Sequence, residues 1–124
     1  MGEELARARR LRRRAEFLAV QRSGRRVHTK HFIVVVRARE NPELPTRLGV
    51  TVTKRVAKAV GRNRVKRLVR EVFRRNGHYF PSACDVVIIA KSGAPLLGYD
   101  DVANELGRIR RRLDAAIEPR EPTP

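Results

Sequence analysis

From Lys54 to Glu71 the chain reads KRVAKAVGRNRVKRLVRE, eighteen positions that hold eight Lys or Arg side chains and one acid. Side chains of this kind neutralise phosphates, and arginine adds a planar fork that can grip two oxygens or stack on a base. A second pattern overlies the charge. Val65, Leu68, Val69, Val72 and Phe73 recur at i, i+3, i+4, i+7 and i+8, the spacing of one helix stripe. Asn63, Lys66, Arg67, Arg70 and Arg74 fall on the opposite side. Such a helix buries one side against a core and holds a rigid row of cations toward a polyanion. A disordered basic tail would lack the buried stripe, so the spacing predicts a folded RNA-binding surface.

The remaining candidates for chemistry are sparse. Asp85 reads as a strand-start residue, and Asp100 and Asp101 as first-turn residues of the last helix, where carboxylates meet the positive end of the helix dipole. His28, His31 and His78 have no partner spacing that links them to a nucleophile or a metal, and read as surface or packing residues. The one cysteine, Cys84, excludes an intramolecular disulfide and reads as a small buried hydrophobe. No Cys/His spacing resembles a zinc site, and hydrolysis by two metals on protein carboxylates is disfavoured.

Composition narrows the partner. The 29 Lys and Arg against 13 Asp and Glu give +16 on 124 residues, one domain's worth of chain. Twenty-four of the 29 are arginine, a bias that suits nucleic acid. The charge is uneven: residues 1–26 carry nine Arg against three Glu, residues 47–75 eleven basic groups against one acid, and residues 76–106 one Lys against four acids. The first two blocks should lie on connected surfaces and the third should face away from the polyanion. No apolar run approaches the length of a spanning helix, and the N-terminus is too charged for a signal peptide. A soluble, cytoplasmic protein is expected, with no membrane partner and no obligatory protein partner.

The elements that must position the basic row follow from periodicity. Leu11, Ala15, Leu18 and Ala19 predict a first helix ending near Ser23-Gly24, with Phe17 and Gln21 on an adjoining face. His31 to Arg39 and Arg47 to Thr53 predict two strands joined as a hairpin through ENPELPT. Asp85 to Ala90 is a short apolar run suited to a strand buried on both faces. Val102, Leu106, Ile109, Leu113 and Ile117 predict one final helix, with Arg108, Arg110, Arg111 and Arg112 outside or at its edges. The result is a two-layer α/β (α+β) sandwich forming a single domain over residues 1–117, with residues 1–10 as a basic arm and residues 118–124 as a frayed tail.

The run TKRVAKAVGRNRVKRLVRE resembles the signature of the bacterial ribonuclease P protein component: Lys54, then Ala59-Val60, Arg62-Asn63-Arg64, Lys66-Arg67 and Arg70-Glu71. Phe17, Gly24, the Phe32 strand, Arg47-Leu48-Gly49 and the Asp85 to Lys91 segment occur in family order, so the likeness covers about residues 11–115. It implies a four-stranded sheet with three helices in the order α-β-β-β-α-β-α, an added short strand near Val27 to Lys30, and a left-handed βαβ crossover through the basic helix, against the usual rule.

The same resemblance implies a function. The chain would be the accessory protein subunit of ribonuclease P, an endoribonuclease whose catalytic centre and Mg2+ ions lie mainly in its RNA subunit. It would bind that catalytic RNA and the 5′ leader of precursor tRNA, and assist removal of the leader to form the mature 5′ end. Arg62, Asn63, Arg64, Lys66, Arg67 and Arg70 match the family's RNA-docking helix. Phe17 matches an aromatic in the leader cleft, with Lys54, Arg55, Lys58 and Lys91 at or near it. Gln21 and Val35 stand where further cleft aromatics are common, and Ala57 where glycine is common. No residue of this chain is expected to be catalytic or to hold a metal. Two other classes share parts of the pattern: a ribosomal-type RNA-binding protein without a leader cleft, and a helix-turn-helix DNA-binding module, which the strands flanking the basic helix disfavour.

Overall fold

The computed structural model describes residues 5–117; residues 1–4 of the expected arm and the expected tail 118–124 lie outside the described residues. The chain forms α1 (Arg14–Ser23), β1 (Arg25–His28), β2 (Phe32–Ala38), β3 (Arg47–Thr51), α2 (Ala59–Arg75), β4 (Cys84–Ala90), α3 (Tyr99–Gly107) and α4 (Arg110–Ile117). Single 3-10 turns occur at Arg7–Arg9, Gly77–Tyr79 and Ala94–Leu96. The four strands form one sheet in the order β1-β2-β4-β3, antiparallel except for the parallel pair β3 and β4 that α2 connects. This is the expected α+β layering on a mixed four-stranded sheet.

Two expectations about connectivity need correction. The segments His31 to Arg39 and Arg47 to Thr53 do not form a hairpin, because β4 inserts between them. The hairpin is β1–β2, in register from Arg25 opposite Val36 to His28 opposite Ile33. The 40–46 segment instead crosses the end of β4, where buried Thr46 donates to the Pro81 carbonyl at 2.6 Å and accepts from the Cys84 N–H at 3.2 Å. The final helix is two helices, giving four in place of three. Gly107 ends α3 where a Cβ would come within 2.9 Å of the Tyr79 ring, and the chain restarts as α4 with the Leu113 N–H bonding the Ile109 carbonyl at 2.9 Å. Glycine weakens a helix, and here its missing side chain makes room for the ring.

The sheet separates two cores. On one face Val34, Val36, Leu48, Val50, Val86 and Ile88 pack with Val65, Val69, Val72 and Phe73 of α2, with Val102, Leu106 and Leu113 of α3 and α4, and with Ile109 between those two helices. The stripe predicted for α2 is the stripe it buries, apart from half-buried Leu68. The other face carries the row Arg26, Val35, Val87 and Gly49, then the row His28, Ile33, Ile89 and Thr51. Only α1 covers it. There the cluster is small: Leu11, Val20, Val35 and Val87 are buried, with Phe17, Ile33 and Ile89 partly so. The stripe expected for α1 differs accordingly. Ala15 and Ala19 are exposed, Val20 is the buried residue of the helix, and Leu11 lies before it.

The segment expected as a basic arm lies along the fold from Leu5 onward. Leu5 is buried in the larger core, Arg10 pairs with Leu48 beyond the edge of β3, and the Leu11 N–H bonds the Leu48 carbonyl at 2.9 Å. The Arg9 guanidinium stands 5.0 Å from the Phe73 ring centroid and bonds the Thr46 carbonyl.

Candidate nucleic-acid interface

Along α2 the cations sort into an outer row and a shoulder. Asn63, Arg64 and Arg67 are exposed, whereas Arg62, Lys66 and Arg70 run at i, i+4 and i+8 beside the buried stripe and are half-buried. Some of these side chains are positioned by carbonyls. Arg62 Nη1 donates to the Ala57 carbonyl at 2.9 Å and Arg64 Nη1 to the Pro95 carbonyl at 2.9 Å, tying the start of α2 to the turn before it and to the segment before α3. Carbonyl anchoring fixes direction without neutralising charge, so both guanidinia keep a net positive field toward solvent. Arg74 differs: Glu71 accepts from it at 2.6 and 3.1 Å and is held below the ordinary carboxylate range by that pairing. The charged side of the helix therefore weakens toward its C-terminal end.

The second region is the face beneath α1. Phe17 is half-buried, its ring lying over Gly49, where an added Cβ would come within 2.5 Å of Phe17 Cε1. Ile33, Ile89 and Thr51 continue the sheet past the helix as a partly open floor. Val35 is fully buried beneath α1 beside Val20, so it supports the cleft and offers no stacking surface; Gln21 is half-buried on α1. Lys54, Arg55 and Lys58 are exposed on the turn from β3 to α2, where the Thr53 carbonyl accepts from the Val56 N–H at 3.0 Å. They stand at the β3 end of the open floor, and Phe17 stands under α1. Ala57 fits this turn without strain, since among the described residues the one non-glycine with positive φ is Ala83. Lys91 is half-buried just past the end of β4, its Nζ donating to the Thr29 carbonyl at 2.6 Å, so its first task is to hold the β1–β2 turn.

Two polar clusters that fix these walls have no local signature. Arg47 donates through Nε and Nη2 to both oxygens of Asp85, each at 2.8 Å, and through Nη1 to Glu16 at 3.0 Å. The bond to Asp85 raises the Arg47 pKa. Glu16 also accepts the backbone N–H groups of Arg13 and Arg12, which lower its pKa and fix the start of α1. The second cluster joins α3 to the β1–β2 turn. Glu105 accepts from Thr29 Oγ1 and from the His31 N–H at 2.7 Å, and its other oxygen lies 2.7 Å from His31 Nδ1. Burial alone would raise the Glu105 pKa, but these hydrogen bonds outweigh it and the group sits below the ordinary carboxylate range. His31 and Glu105 are 74 positions apart, beyond the reach of any spacing rule.

Known proteins share this fold. The ribonuclease P family model matches residues 5–114. The ribonuclease P protein component of Desulfovibrio desulfuricans is 47% identical over 111 residues, covering 88% of this chain and 85% of that one. The chain belongs to the ribonuclease P protein family. Among solved structures, the RNase P protein from Thermotoga maritima superposes with a TM-score of 0.73 at 32% identity, covering 83% of this chain and 96% of that one. The Staphylococcus aureus RNase P protein gives 0.73 at 27% identity, covering 90% and 100%. Membership in the ribonuclease P family places the chain in tRNA processing, as a component of an endoribonuclease ribonucleoprotein with ribonuclease P RNA as partner. Among the described residues, no group of three or more His, Cys, Asp and Glu side chains converges to hold a metal ion, and no helix is long and apolar enough to cross a membrane.

Proposed function

We propose that this chain docks the α2 row on the ribonuclease P RNA and holds the 5′ leader of precursor tRNA in the cleft between α1 and the sheet. The observation that carries the reading is the pairing of two surfaces on one small fold. A helix with Arg64 and Arg67 turned outward lies on one side of the sheet, and a partly open floor beside Phe17 lies on the other. On this reading Arg62, Asn63, Arg64, Lys66, Arg67 and Arg70 contact the RNA subunit, chiefly at phosphates. Phe17 stacks an unpaired leader base, worth about 1–3 kcal/mol. Lys54, Arg55 and Lys58 track leader phosphates at the β3 end, and Lys91 supports the β1–β2 turn. The Mg2+ ions of the hydrolysis are held mainly by the RNA subunit, and the chain's own cations lower the repulsion that opposes bringing two polyanions together. The work is cytoplasmic.

The deciding test is multiple-turnover cleavage of precursor tRNA by a bacterial ribonuclease P RNA at low magnesium, with and without this protein. Rescue of cleavage is expected, with no cleavage by the protein alone. Failure to rescue a matched RNA would return the chain to the class of structural RNA-binding proteins. Within a competent holoenzyme, Arg62→Ala, Arg64→Ala and Lys66→Ala should each make the salt dependence of assembly less steep, by about 0.7–0.9 for each phosphate no longer neutralised. A slope equal to wild type in the triple variant would remove α2 from the docking surface.

A further inference from the structure

The break between α3 and α4 opposes the β1–β2 turn, and the two enclose a groove of about 510 Å3 lined in part by Lys30, His31, Asn104, Arg108 and Arg112. Its cations face outward. Lys30 and Arg108 are exposed and make no side-chain hydrogen bond or ion pair among the described residues, and Arg112 is exposed with Nη2 donating to the His28 carbonyl at 3.0 Å. Two carboxylates also line it, and both are engaged. Glu105 is taken up by Thr29 and His31, and Asp101 accepts from the Gly98 N–H at 2.9 Å at the start of α3.

The groove begins at Thr29 and Lys30, the residues that follow β1 at the far end of the cleft floor from Lys54. The open floor row runs Thr51, Ile89, Ile33, His28 across the sheet, so a strand laid along it from the Lys54 side leaves over β1 at His28. The His28 carbonyl is the one that Arg112 holds. β1 is an edge strand, with no further strand to block the path. Direction follows from the chemistry. The scissile bond lies where the RNA subunit is, α2 docks on that RNA, and the 3′ end of the leader therefore enters beside the Lys54 turn. Its 5′ portion exits at β1.

We propose that the groove at the α3–α4 break binds the upstream part of the single-stranded leader after it crosses β1, with Lys30, Arg108 and Arg112 donating to its phosphates. The site rests on the cleft reading above and extends it past the edge of the sheet. Its footprint would be read as leader-length dependence: short leaders end within the cleft, and long ones reach the groove.

The experiment uses holoenzyme reconstituted with a bacterial ribonuclease P RNA, and precursor tRNAs with leaders of about four and about twelve nucleotides, toward the two ends of the footprints of small single-strand-binding folds. Lys30→Glu with Arg108→Glu changes two exposed side chains that have no bond to lose. Short-leader affinity should stay within about twofold, while long-leader affinity should fall about tenfold and its salt slope flatten by about 1.4, or 0.7 for each phosphate. Phe17→Ala is the control and should weaken both substrates. An unchanged long-leader affinity in the Lys30/Arg108 variant, with Phe17→Ala still weakening both, would overturn the groove alone. Equal losses on short and long leaders would also overturn it, because they would mark the groove as a contact to the RNA subunit. No effect of Phe17→Ala on either substrate would instead overturn the cleft on which the groove rests.

Discussion

On the face covered by α2, α3 and α4, the strands are sealed beneath three helices, and Phe73, Leu106 and Leu113 are fully buried there. On the face covered by α1, the buried hydrophobic cluster has four residues among those described and the next row of the sheet is partly open. The first face holds α2 by apolar area, which is what lets the far side of that helix consist almost wholly of cations. The second face holds α1 with less apolar area, chiefly Val20 against Val35 and Val87. It uses the bonds among Arg47, Asp85 and Glu16 and a single aromatic ring over Gly49. Apolar burial is thus concentrated on one side of the sheet, and the partly open floor lies on the other. A partly open floor gives up hydrophobic stabilisation of roughly 25 cal/mol per Å2 and gains a surface on which a base can sit.

If that division holds, the largest stability loss should come from the sealed face. Phe73→Ala removes a ring packed 5.2 Å from Phe80, fully buried and under the Arg9 guanidinium, and should cost about 3–5 kcal/mol in urea unfolding. Leader affinity per folded molecule should not change; a drop in affinity in the folded variant would break the comparison. A smaller effect, split between stability and binding, is expected on the open face. Gly49→Ala places a methyl against Phe17 and within 3.2 Å of Leu11 Cβ, so the ring must shift; overpacking should cost about 1–3 kcal/mol. Discrimination between precursor and mature tRNA should fall with it. Full discrimination in that variant would show that Phe17 is a packing residue and nothing more.

The smallest effect belongs to the seam between the faces. Glu105 and Glu16 both sit below their ordinary value of 4.5 in the folded protein. The unfolded chain therefore binds more protons as pH falls, so the stability they contribute is present above about pH 4.5 and is lost as pH drops through their folded values. Glu105→Gln should flatten the acid limb of the pH–stability curve and cost about 1 kcal/mol at neutral pH. An acid limb as steep as wild type would mean that the link from Glu105 to Thr29 and His31 contributes nothing.

The α2 helix was legible from the sequence because one element carried two independent periodicities, buried Val65, Val69, Val72 and Phe73 against exposed Asn63 and Arg67. α1 was less so. Alanines fit either side of a helix, and Ala15 and Ala19 completed a stripe that the structure leaves in solvent, while Val20 does the burying. Strand pairing was not legible, because β2 and β4 are both largely apolar and nothing local says that β4 separates β2 from β3. The helix break falls where the Tyr79 ring closes on Gly107, an approach between distant segments. For the candidate site, the types of Phe17, Lys54, Arg55 and Lys58 placed them in the cleft region through the resemblance. The bond from Lys91 to Thr29 and the burial of Val35 could come only from coordinates.

The position of β4 also bears on how the chain comes to be folded. The last of the four strands to be synthesised is one of the two at the centre, paired with β2 along its whole length and with β3 on its other side. A nascent chain that stops short of Ala90 possesses the β1–β2 hairpin and β3 with no strand to join them, and an isolated hairpin is marginal in water. Closing the sheet means closing the long loop from Ala38 to Cys84 in one event, so folding is expected to be slow for this size and all-or-none. The floor under Phe17 and the support behind α2 appear together, and a truncated chain has neither.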